Sequence, residues 1–217
     1  MKIRQEKIIL AVPKGRILDE LIPLLHKAGI VPEKSFFDNT NRKLLFSSNL
    51  SWLQIIRVRS FDAATFVAYG GADLGVVGYD VLKEFNYPEI YTPLDLKIGK
   101  CYLSVAKLKN DINQAENLPI KIATKYPNIT KDYYRSIGKN VYCIKMNGAM
   151  EIAPKLGLSD KIVDLVSSGE TLKVNGLIEE EKILDITSHL IVNRSTFKTR
   201  SKKVRYIISL LEDALND

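Results

Sequence analysis

The fold of this chain is decided by residues 7–29, KIILAVPKGRILDELIPLLHKAG, in which a short apolar run precedes a longer amphipathic one. The run KIILAVP is continuously apolar, as expected for a strand buried on both faces. The run RILDELIPLLHKAG carries apolar residues at helical spacing, with Asp19 and Glu20 in its first turn and Gly29 at its end. Pro23 lies inside this helix and is expected to bend it. The stretch predicts a strand, a loop and a helix.

The same alternation continues along the chain. Strands are predicted at RKLLFS, LQIIRVR and DLGVVGYD and, after the extended stretch IYTPLDLKIGKCYLSVAKL, at IKIATKYP, VYCIKMN and KIVDLV, with helical segments between them. Strands that alternate with helices indicate mostly parallel sheets. Two such runs, joined by two extended crossings, predict an α/β fold of two lobes around a cleft. We expect lobe I to comprise residues 1–98 plus 190–217, and lobe II residues 99–189.

The composition indicates a folded protein and excludes several classes. Of the 217 residues, 46% are hydrophobic and 26% charged, which is ordinary for a globular protein. The apolar run IILAV near the start is far shorter than a signal-peptide core or a membrane span, so a cytoplasmic protein is expected. Cys101 and Cys143 lie in strand-like context without metal-ligand spacing or a disulfide framework, and are expected to be buried, reduced thiols.

The formal net charge of +7 suggests an anionic partner. Its most concentrated part is KTRSKKVR, residues 198–205, which opens an amphipathic helical pattern and is expected to form a solvated helix face. No nucleic-acid motif accompanies it, and no membrane association is predicted. Diffuse basic charge fits anionic small molecules at least as well as nucleic acid.

The loop at residues 164–171, within DLVSSGETL, has features of a phosphate site. It follows the apolar strand KIVDLV, which places Asp164 near the carboxyl end of a strand, where ligands bind in open α/β sheets. The residues that offer closely spaced N–H groups and hydroxyls to a phosphate are Ser167, Ser168, Gly169, Glu170 and Thr171. Asp164 would face ribose hydroxyls or a hydrated Mg²⁺. The alternative is a Ser/Thr-capped turn without a ligand.

A second loop, Lys14-Gly15-Arg16, lies between the first strand and the first helix. Arg16 can bind phosphate oxygens through two parallel N–H bonds, while Lys14 acts as a point charge. The alternative is a solvated turn that carries a basic pair.

Three arginines flank apolar strands in RKLLF and IIRVRSFD, namely Arg42, Arg57 and Arg59. By strand alternation Arg57 and Arg59 share a face, and proximity to the strand end favours Arg59 as the inward one. The alternative is that each is a surface residue.

His26 and His189 have no serine, cysteine or metal-ligand companion at useful spacing, so a catalytic triad or a zinc site is not expected.

Taken together, the loops resemble a known family. The stretches that carry the resemblance run in family order over nearly the whole chain and are PKGRILDE, RKLLF, VRSFDAATFVAYGGADLGVVGYDVLKE, IATKYPNITKDYY, APKLGLSDKIVDLVSSGETLKVNGL and LIVNRSTFK. They are similar to short-form catalytic subunits of the ATP phosphoribosyltransferase family, which open histidine biosynthesis. The segments DLVSSGETLKVNGL and GGADLGVVGYDVL are specific to it.

The resemblance implies a two-lobed fold like that of type II periplasmic binding proteins, with the C-terminal helix returning to the first lobe. It implies a glycosyltransferase in which N1 of ATP displaces pyrophosphate from C1 of phosphoribosyl pyrophosphate. In that reading lobe I is the nucleotide and pyrophosphate side, and the loop at 164–171 in lobe II holds the ribose 5′-phosphate.

The resemblance also assigns further residues. It places Lys14, Arg16 and Arg42 against pyrophosphate and the nucleotide, with Arg16 and Arg42 as the catalytic residues. It places Lys125 and Glu151 on the second-lobe side. The remaining substrate-binding positions that it implies are Gly15, Arg59, Gly78 and Asp80.

The implied chemistry needs Mg²⁺, fixed cations and orientation rather than a Ser/His dyad, because adenine N1 is already an unprotonated nucleophile at neutral pH. No metal ligands are assigned, since pyrophosphate and substrate oxygens can supply most of them. The chain ends one helix after LIVN, which by resemblance predicts a hetero-oligomer with a separate regulatory subunit resembling a histidyl-tRNA synthetase, where histidine inhibition resides.

Three places depart from the family pattern. Tyr102 stands where a basic residue is expected, Ala149 and Met150 stand where serine and valine are more frequent, and His189 stands where arginine is common.

Two other functions are kept as alternatives: a two-lobed solute receptor for an anion, and a regulatory paralogue that retained the fold without catalysis.

Overall fold

The structure is a computed structural model that describes residues 7–38, 40–109 and 119–216. It divides into two compact units. The first falls within Met1–Leu82, Asn86–Gly99 and Thr187–Asp217, and the second within Lys83–Phe85 and Lys100–Ile186. Sequence analysis predicted the lobe boundaries between residues 98 and 99 and between residues 189 and 190. It did not assign residues 83–85 to the second unit. The assignment of substrates to the lobes stays a prediction.

In the described part of the chain the first unit is built on a six-stranded sheet with the order β2-β3-β1-β4-β11-β5. Its strands are β1 (Ile8–Pro13), β2 (Leu45–Ser47), β3 (Leu53–Val58), β4 (Leu74–Gly78), β5 (Ile90–Asp95) and β11 (Ser188–Asn193). β1 pairs in parallel with β3 and β4, whereas β2 and β11 run antiparallel to their neighbours. The central strands are apolar on both faces because helices cover the sheet.

The helices of the first unit are α1 (Arg16–Lys27), α2 (Ser60–Ala68), α6 (Arg194–Thr199) and α7 (Ser201–Asn216), together with the start of α3 (Tyr79–Phe85), whose last three residues belong to the second unit. α1 buries one leucine stripe (Leu18, Leu21, Leu24 and Leu25) in the same core that receives Val204, Ile207 and Leu211 of α7. The helical spacing of these residues is the reason that the sequence alone predicted both helices. Pro23 lies within α1, as predicted.

Among its described residues, the second unit is built on a five-stranded sheet with the order β10-β6-β9-β7-β8. Its strands are β6 (Cys101–Leu108), β7 (Ile120–Thr124), β8 (Val141–Lys145), β9 (Lys161–Val166) and β10 (Leu177–Ile186). β7 pairs in parallel with β8 and β9, and β6 lies antiparallel between β9 and β10. The helices are α4 (Pro127–Ser136) and the short α5 (Glu170–Val174). The prediction of mostly parallel sheets was wrong: both sheets are mixed, because β2, β5 and β11 in the first and β6 and β10 in the second pair antiparallel with their neighbours.

β10 forms one edge of this sheet and is irregular. Its pairing with β6 shifts register between Glu179 and Glu181 and again between Lys182 and Leu184. At the first shift the carboxylate of Glu180 binds Lys107 at 3.0 Å and also contacts the ammonium of Lys161, whose residue is only 6% exposed. The run Glu179–Glu181 is exposed, but Glu180 also compensates a buried cation, which strand alternation alone does not indicate.

Two local predictions need correction. RKLLFS forms a strand only over Leu45–Ser47, so Arg42 precedes the strand. Cys101 and Cys143 are free thiols, as predicted, but both are half-buried rather than buried.

No helix among the described residues is long and apolar enough to cross a membrane.

Candidate active site

In the first unit the predicted site residues lie at one edge of the sheet. The parallel strands β1, β3 and β4 end at this edge, and β2 begins there because it is antiparallel to β3. The predicted residues next to these strand ends are Lys14, Gly15, Arg16, Arg42, Arg59, Gly78 and Asp80. Loops at the carboxyl ends of parallel strands are where α/β proteins bind ligands.

Arg16 is the first residue of α1 and is exposed. Its Nη2 donates to the carbonyl oxygen of Gly99 at 3.3 Å. Glu20, one turn further along α1, accepts the N–H of Gly99 on Oε2 at 2.7 Å. Lys14 is also exposed, and its N–H donates to the carbonyl of Val58 at 2.9 Å, which ties the loop to the end of β3. The structure thus brings two exposed cations to a loop whose main chain is held.

The prediction that Arg59 rather than Arg57 points inward was wrong. Arg57 is 6% exposed, and its guanidinium donates to the carbonyl oxygens of Phe36 at 2.9 Å and Asp38 at 3.4 Å. It also lies 5.5 Å from the ring centroid of Phe46. Arg59 follows the end of β3 and is exposed. Arg57 is therefore a structural residue, and Arg42 and Arg59 are the exposed arginines of this edge.

Gly78 and Asp80 lie at the junction of β4 and α3. Asp80 is 5% exposed, and its Oδ1 would lie 2.1 Å from a β-carbon added to Gly78. The carboxylate is thus folded back over the glycine, where it occupies the space of a side chain. This arrangement explains the absence of a side chain at residue 78 and leaves Asp80 less accessible to a substrate than the exposed cations beside it.

In the second unit the predicted residues again collect at one edge. β7, β8 and β9 are parallel, so their carboxyl ends lie on the same side of the sheet. Lys125 directly follows β7 and is half-buried, Glu151 lies in a short 3₁₀ turn after β8 and is half-buried, and the loop at 164–171 spans the end of β9 and the start of α5. The structure brings these three predicted elements to a common edge.

The loop after β9 encloses a small cavity of about 90 Å³. Its polar lining comes from Glu151, Asp164, Ser167, Ser168, Gly169 and Thr171. Glu170 does not line it; its N–H donates to Ser168 Oγ at 3.4 Å. Gly169 has φ of 72°, a left-handed conformation that a residue with a side chain adopts only with strain. This φ turns the chain sharply between the exposed serines and α5.

Sequence reasoning missed Glu179. Its Oε1 would lie 3.1 Å from a β-carbon on Gly169, and it accepts the phenol proton of Tyr102 at 3.2 Å. Partial desolvation and this hydrogen bond both raise the pKa of Tyr102, so the phenol remains a donor at neutral pH. Tyr102, which departs from the family pattern, thus binds a carboxylate next to the loop at 164–171. No sequence signal marked this pair, because it depends on the register of β10.

The other two departures have clear local settings. Ala149 directly precedes the turn that carries Glu151 and has φ of 55°, which is unusual for a residue other than glycine. His189 is half-buried in β11, with Nε2 at 3.3 Å from Thr187 Oγ1 and its ring 5.4 Å from that of Tyr79. Burial lowers the pKa of His189.

The described residues contain no group of three or more His, Cys, Asp or Glu side chains that could hold a metal ion. Asp164 and Glu151 nevertheless line the same cavity. One or two carboxylates, completed by water and phosphate oxygens, are the usual protein contribution to a Mg²⁺ site on a phosphorylated substrate. The donor set therefore fits a divalent ion that is held largely by the oxygens of a phosphorylated ligand.

Comparison with known proteins identifies the family. Residues 59–213 match the family HisG, described as ATP phosphoribosyltransferase. An ATP phosphoribosyltransferase of Rhodospirillum rubrum is 54% identical over 214 residues, which cover 96% of this chain and 93% of that protein. Since the relative is matched over nearly its whole length, the similarity is not confined to one lobe.

Solved structures agree with the sequence comparison. The ATP phosphoribosyl transferase (HisG:HisZ) complex from Thermotoga maritima contains a chain with a TM-score of 0.81 and 31% identity, with 96% of this chain and 98% of that chain covered. The periplasmic VFT2 domain of Bordetella pertussis BvgS has a TM-score of 0.56 at 10% identity, covering 99% of this chain and 94% of that one, which concerns the fold alone. The predicted two-lobed, periplasmic-binding-protein-like fold is confirmed. The chain belongs to the ATP phosphoribosyltransferase family, whose reaction opens histidine biosynthesis.

Proposed function

We propose that the chain carries out its family's reaction, the transfer of the phosphoribosyl group of phosphoribosyl pyrophosphate to N1 of ATP, through one anion site on each unit. The observation that carries the proposal is the separation of two kinds of loop at the carboxyl ends of parallel strands. The first unit presents exposed cations there, and the second presents a serine- and glycine-rich loop around a small cavity. Membership of an enzyme family decides against the solute-receptor alternative.

The loop after β9 is assigned to the ribose 5′-phosphate. Ser167, Ser168 and Thr171 offer hydroxyls and N–H groups around one cavity, and Gly169 supplies the sharp turn that such a concave backbone requires. Asp164 lines the same cavity and suits the ribose hydroxyls, because a carboxylate accepts hydrogen bonds from them. Lys125, at the end of β7, adds a positive charge to this edge.

The cationic loop of the first unit is assigned to the leaving pyrophosphate and the nucleotide. Arg16 presents a guanidinium that can make two parallel bonds to phosphate oxygens, and Lys14 and Arg42 add exposed point charges. Gly15, Arg59 and Gly78 are assigned to the surrounding substrate-binding edge, with Asp80 supporting Gly78.

In the reaction N1 of adenine donates its lone pair to C1 of the ribose, while the bond from C1 to pyrophosphate breaks and its electron pair stays on the pyrophosphate oxygen. A cationic ribosyl centre and a growing negative charge on the leaving group develop together. Fixed cations stabilise the second charge and require no reorganisation as it forms. We assign this role to Arg16 and Arg42, whose planar guanidinium groups match the geometry of phosphate oxygens.

The divalent ion of the proposed reaction is Mg²⁺. Asp164 and Glu151 are the carboxylates that would hold it together with substrate oxygens. Bound there, the ion would neutralise phosphate charge and make pyrophosphate a better leaving group.

The proposed partner is a regulatory subunit that resembles a histidyl-tRNA synthetase, in a cytoplasmic hetero-oligomer. The support is the similarity to a chain of the Thermotoga maritima HisG:HisZ complex, which is matched over 98% of its length.

The test incubates the purified chain with ATP, phosphoribosyl pyrophosphate and Mg²⁺ in the presence of pyrophosphatase, and measures phosphoribosyl-ATP by mass spectrometry. We expect product, and none after chelation of the metal. Mn²⁺ added back in place of Mg²⁺ tests the identity of the ion. Substrate binding without product would indicate an obligatory partner, whereas neither binding nor product would overturn the assignment of both loops.

A further inference from the structure

We propose that Glu20 is a positioning residue for Arg16, which it holds in place through the main chain of Gly99. The inference rests on the catalytic role proposed above for Arg16. Arg16 and Glu20 lie one turn apart on α1 and bind the two main-chain polar groups of the same residue, Gly99, which is 79 positions beyond Glu20 in the sequence. Glu20 Oε2 accepts the N–H at 2.7 Å, and Arg16 Nη2 donates to the carbonyl at 3.3 Å.

Gly99 is also held from its other side. Its φ of 65° turns N–H and C=O toward α1, and a β-carbon there would lie 2.7 Å from Ser188 Oγ and 3.1 Å from Ile17. Ser188 in turn receives the N–H of Leu96 and donates its own N–H to Ile98, both at 2.9 Å. Ser188 Oγ is buried and has no hydrogen-bond partner among the described residues. The approach of Gly99 to Ser188 is thus tight enough to exclude any side chain.

This packing leaves the Gly99 carbonyl few positions, and the bond from Glu20 selects one of them. One N–H of Arg16 is used by that carbonyl, which restrains the position of the guanidinium. The remaining N–H groups are available for two parallel bonds to a pyrophosphate. An exposed arginine otherwise samples several rotamers, and ordering it at the moment of reaction costs free energy. Glu20 therefore contributes to the rate without contacting substrate.

The test compares Glu20→Ala with Glu20→Gln, and uses Asp19→Ala as the matched control because Asp19 is the neighbouring exposed acid in the same helical turn. We expect Glu20→Ala to lower kcat by on the order of tenfold, as for other partners that orient a catalytic group, with KM for both substrates little changed. Glu20→Gln retains an acceptor oxygen and should restore most of the rate, and Asp19→Ala should match the wild type.

A purely structural role would give a different pattern. Glu20→Ala would then lower the melting temperature and the fraction of active protein, without a change in kcat per active site. Active-site titration and thermal melts of all variants therefore accompany the kinetics. Wild-type kcat per active site in Glu20→Ala overturns the inference.

Arg16→Ala and the double variant Arg16→Ala/Glu20→Ala separate this inference from the proposed function. If Glu20 acts through Arg16, the double variant should be no slower than Arg16→Ala alone. If Arg16→Ala turns over like the wild type, the catalytic role of Arg16 fails and this inference fails with it. If Arg16→Ala is slow and Glu20→Ala is not, only the inference fails.

Discussion

At the carboxyl ends of β1 and β3 in the first unit, the loops carry lysine and arginine side chains, whereas the loop after β9 in the second unit carries serines, a glycine and a threonine. The first edge attracts anions with full charges on side chains, and the second with main-chain and hydroxyl dipoles in a shaped cavity. Substitution should therefore affect the first unit through charge and the second through backbone conformation.

The largest expected effect is on the charged edge. Arg16→Ala should lower kcat by on the order of 10²–10³, the usual cost of removing one preorganised group that stabilises transition-state charge. Arg194→Ala is the matched control, since Arg194 is likewise the exposed first residue of a helix, α6. Steady-state kinetics with both variants measure the effect. A normal kcat for Arg16→Ala would remove the charge-based account of the first unit.

The second prediction separates the two neighbouring arginines of β3. Arg57→Met should lower the free energy of unfolding by about 2 kcal/mol, because the carbonyls of Phe36 and Asp38 lose a charged donor. Arg59→Met should change stability by less than about 0.5 kcal/mol, as for other exposed positions, and weaken substrate binding instead. Urea denaturation and substrate titration measure both variants. The reverse pattern would restore Arg59 as the inward residue.

The third prediction concerns the loop after β9, where binding is expected to depend on backbone conformation. Gly169→Ala forces a side chain into a left-handed conformation, which costs about 1–2 kcal/mol. We expect the loop to relax and KM for phosphoribosyl pyrophosphate to rise by about the tenfold that this free energy allows. Gly138→Ala is a close control, because Gly138 has the same φ of 72° with nothing within 4 Å of an added β-carbon.

Both glycine variants should lose similar stability in thermal melts, but only Gly169→Ala should lose affinity for phosphoribosyl pyrophosphate. An unaltered KM in Gly169→Ala would mean that the shape of this loop does not determine binding.

The smallest effect is expected from pH. Burial lowers the pKa of His189 below its ordinary value of 6.5, so the unfolded chain binds this proton more readily than the folded one. Stability is therefore complete above pH 6.5 and is lost as the pH falls from there toward the folded pKa. His189→Gln should show a smaller loss of unfolding free energy between pH 7.5 and pH 5.5 than the wild type. Equal losses would show that His189 does not contribute.

Much of the fold and most of the candidate edges could be predicted because their signals are local. The apolar run of β1 and the leucine stripe of α1 are visible within 20 or so residues. The contacts of Arg57, Glu180 and Gly99 could not be predicted from local patterns. The burial of Arg57 depends on a turn about 20 residues earlier and the role of Glu180 on a register shift in β10. The contact of Arg16 with Gly99 joins residues that are 83 positions apart in the sequence. Local patterns contain no information on such contacts.

The irregular strand β10 has one more consequence. It is an edge strand, and its outer main-chain groups could pair with a strand of another molecule and start aggregation. Two register shifts interrupt the straight row of N–H and C=O groups that such pairing needs, and the run Glu179–Lys182 places charge along it. The glutamate that compensates a buried lysine therefore also places charge on the edge where a flat strand would be a risk for aggregation.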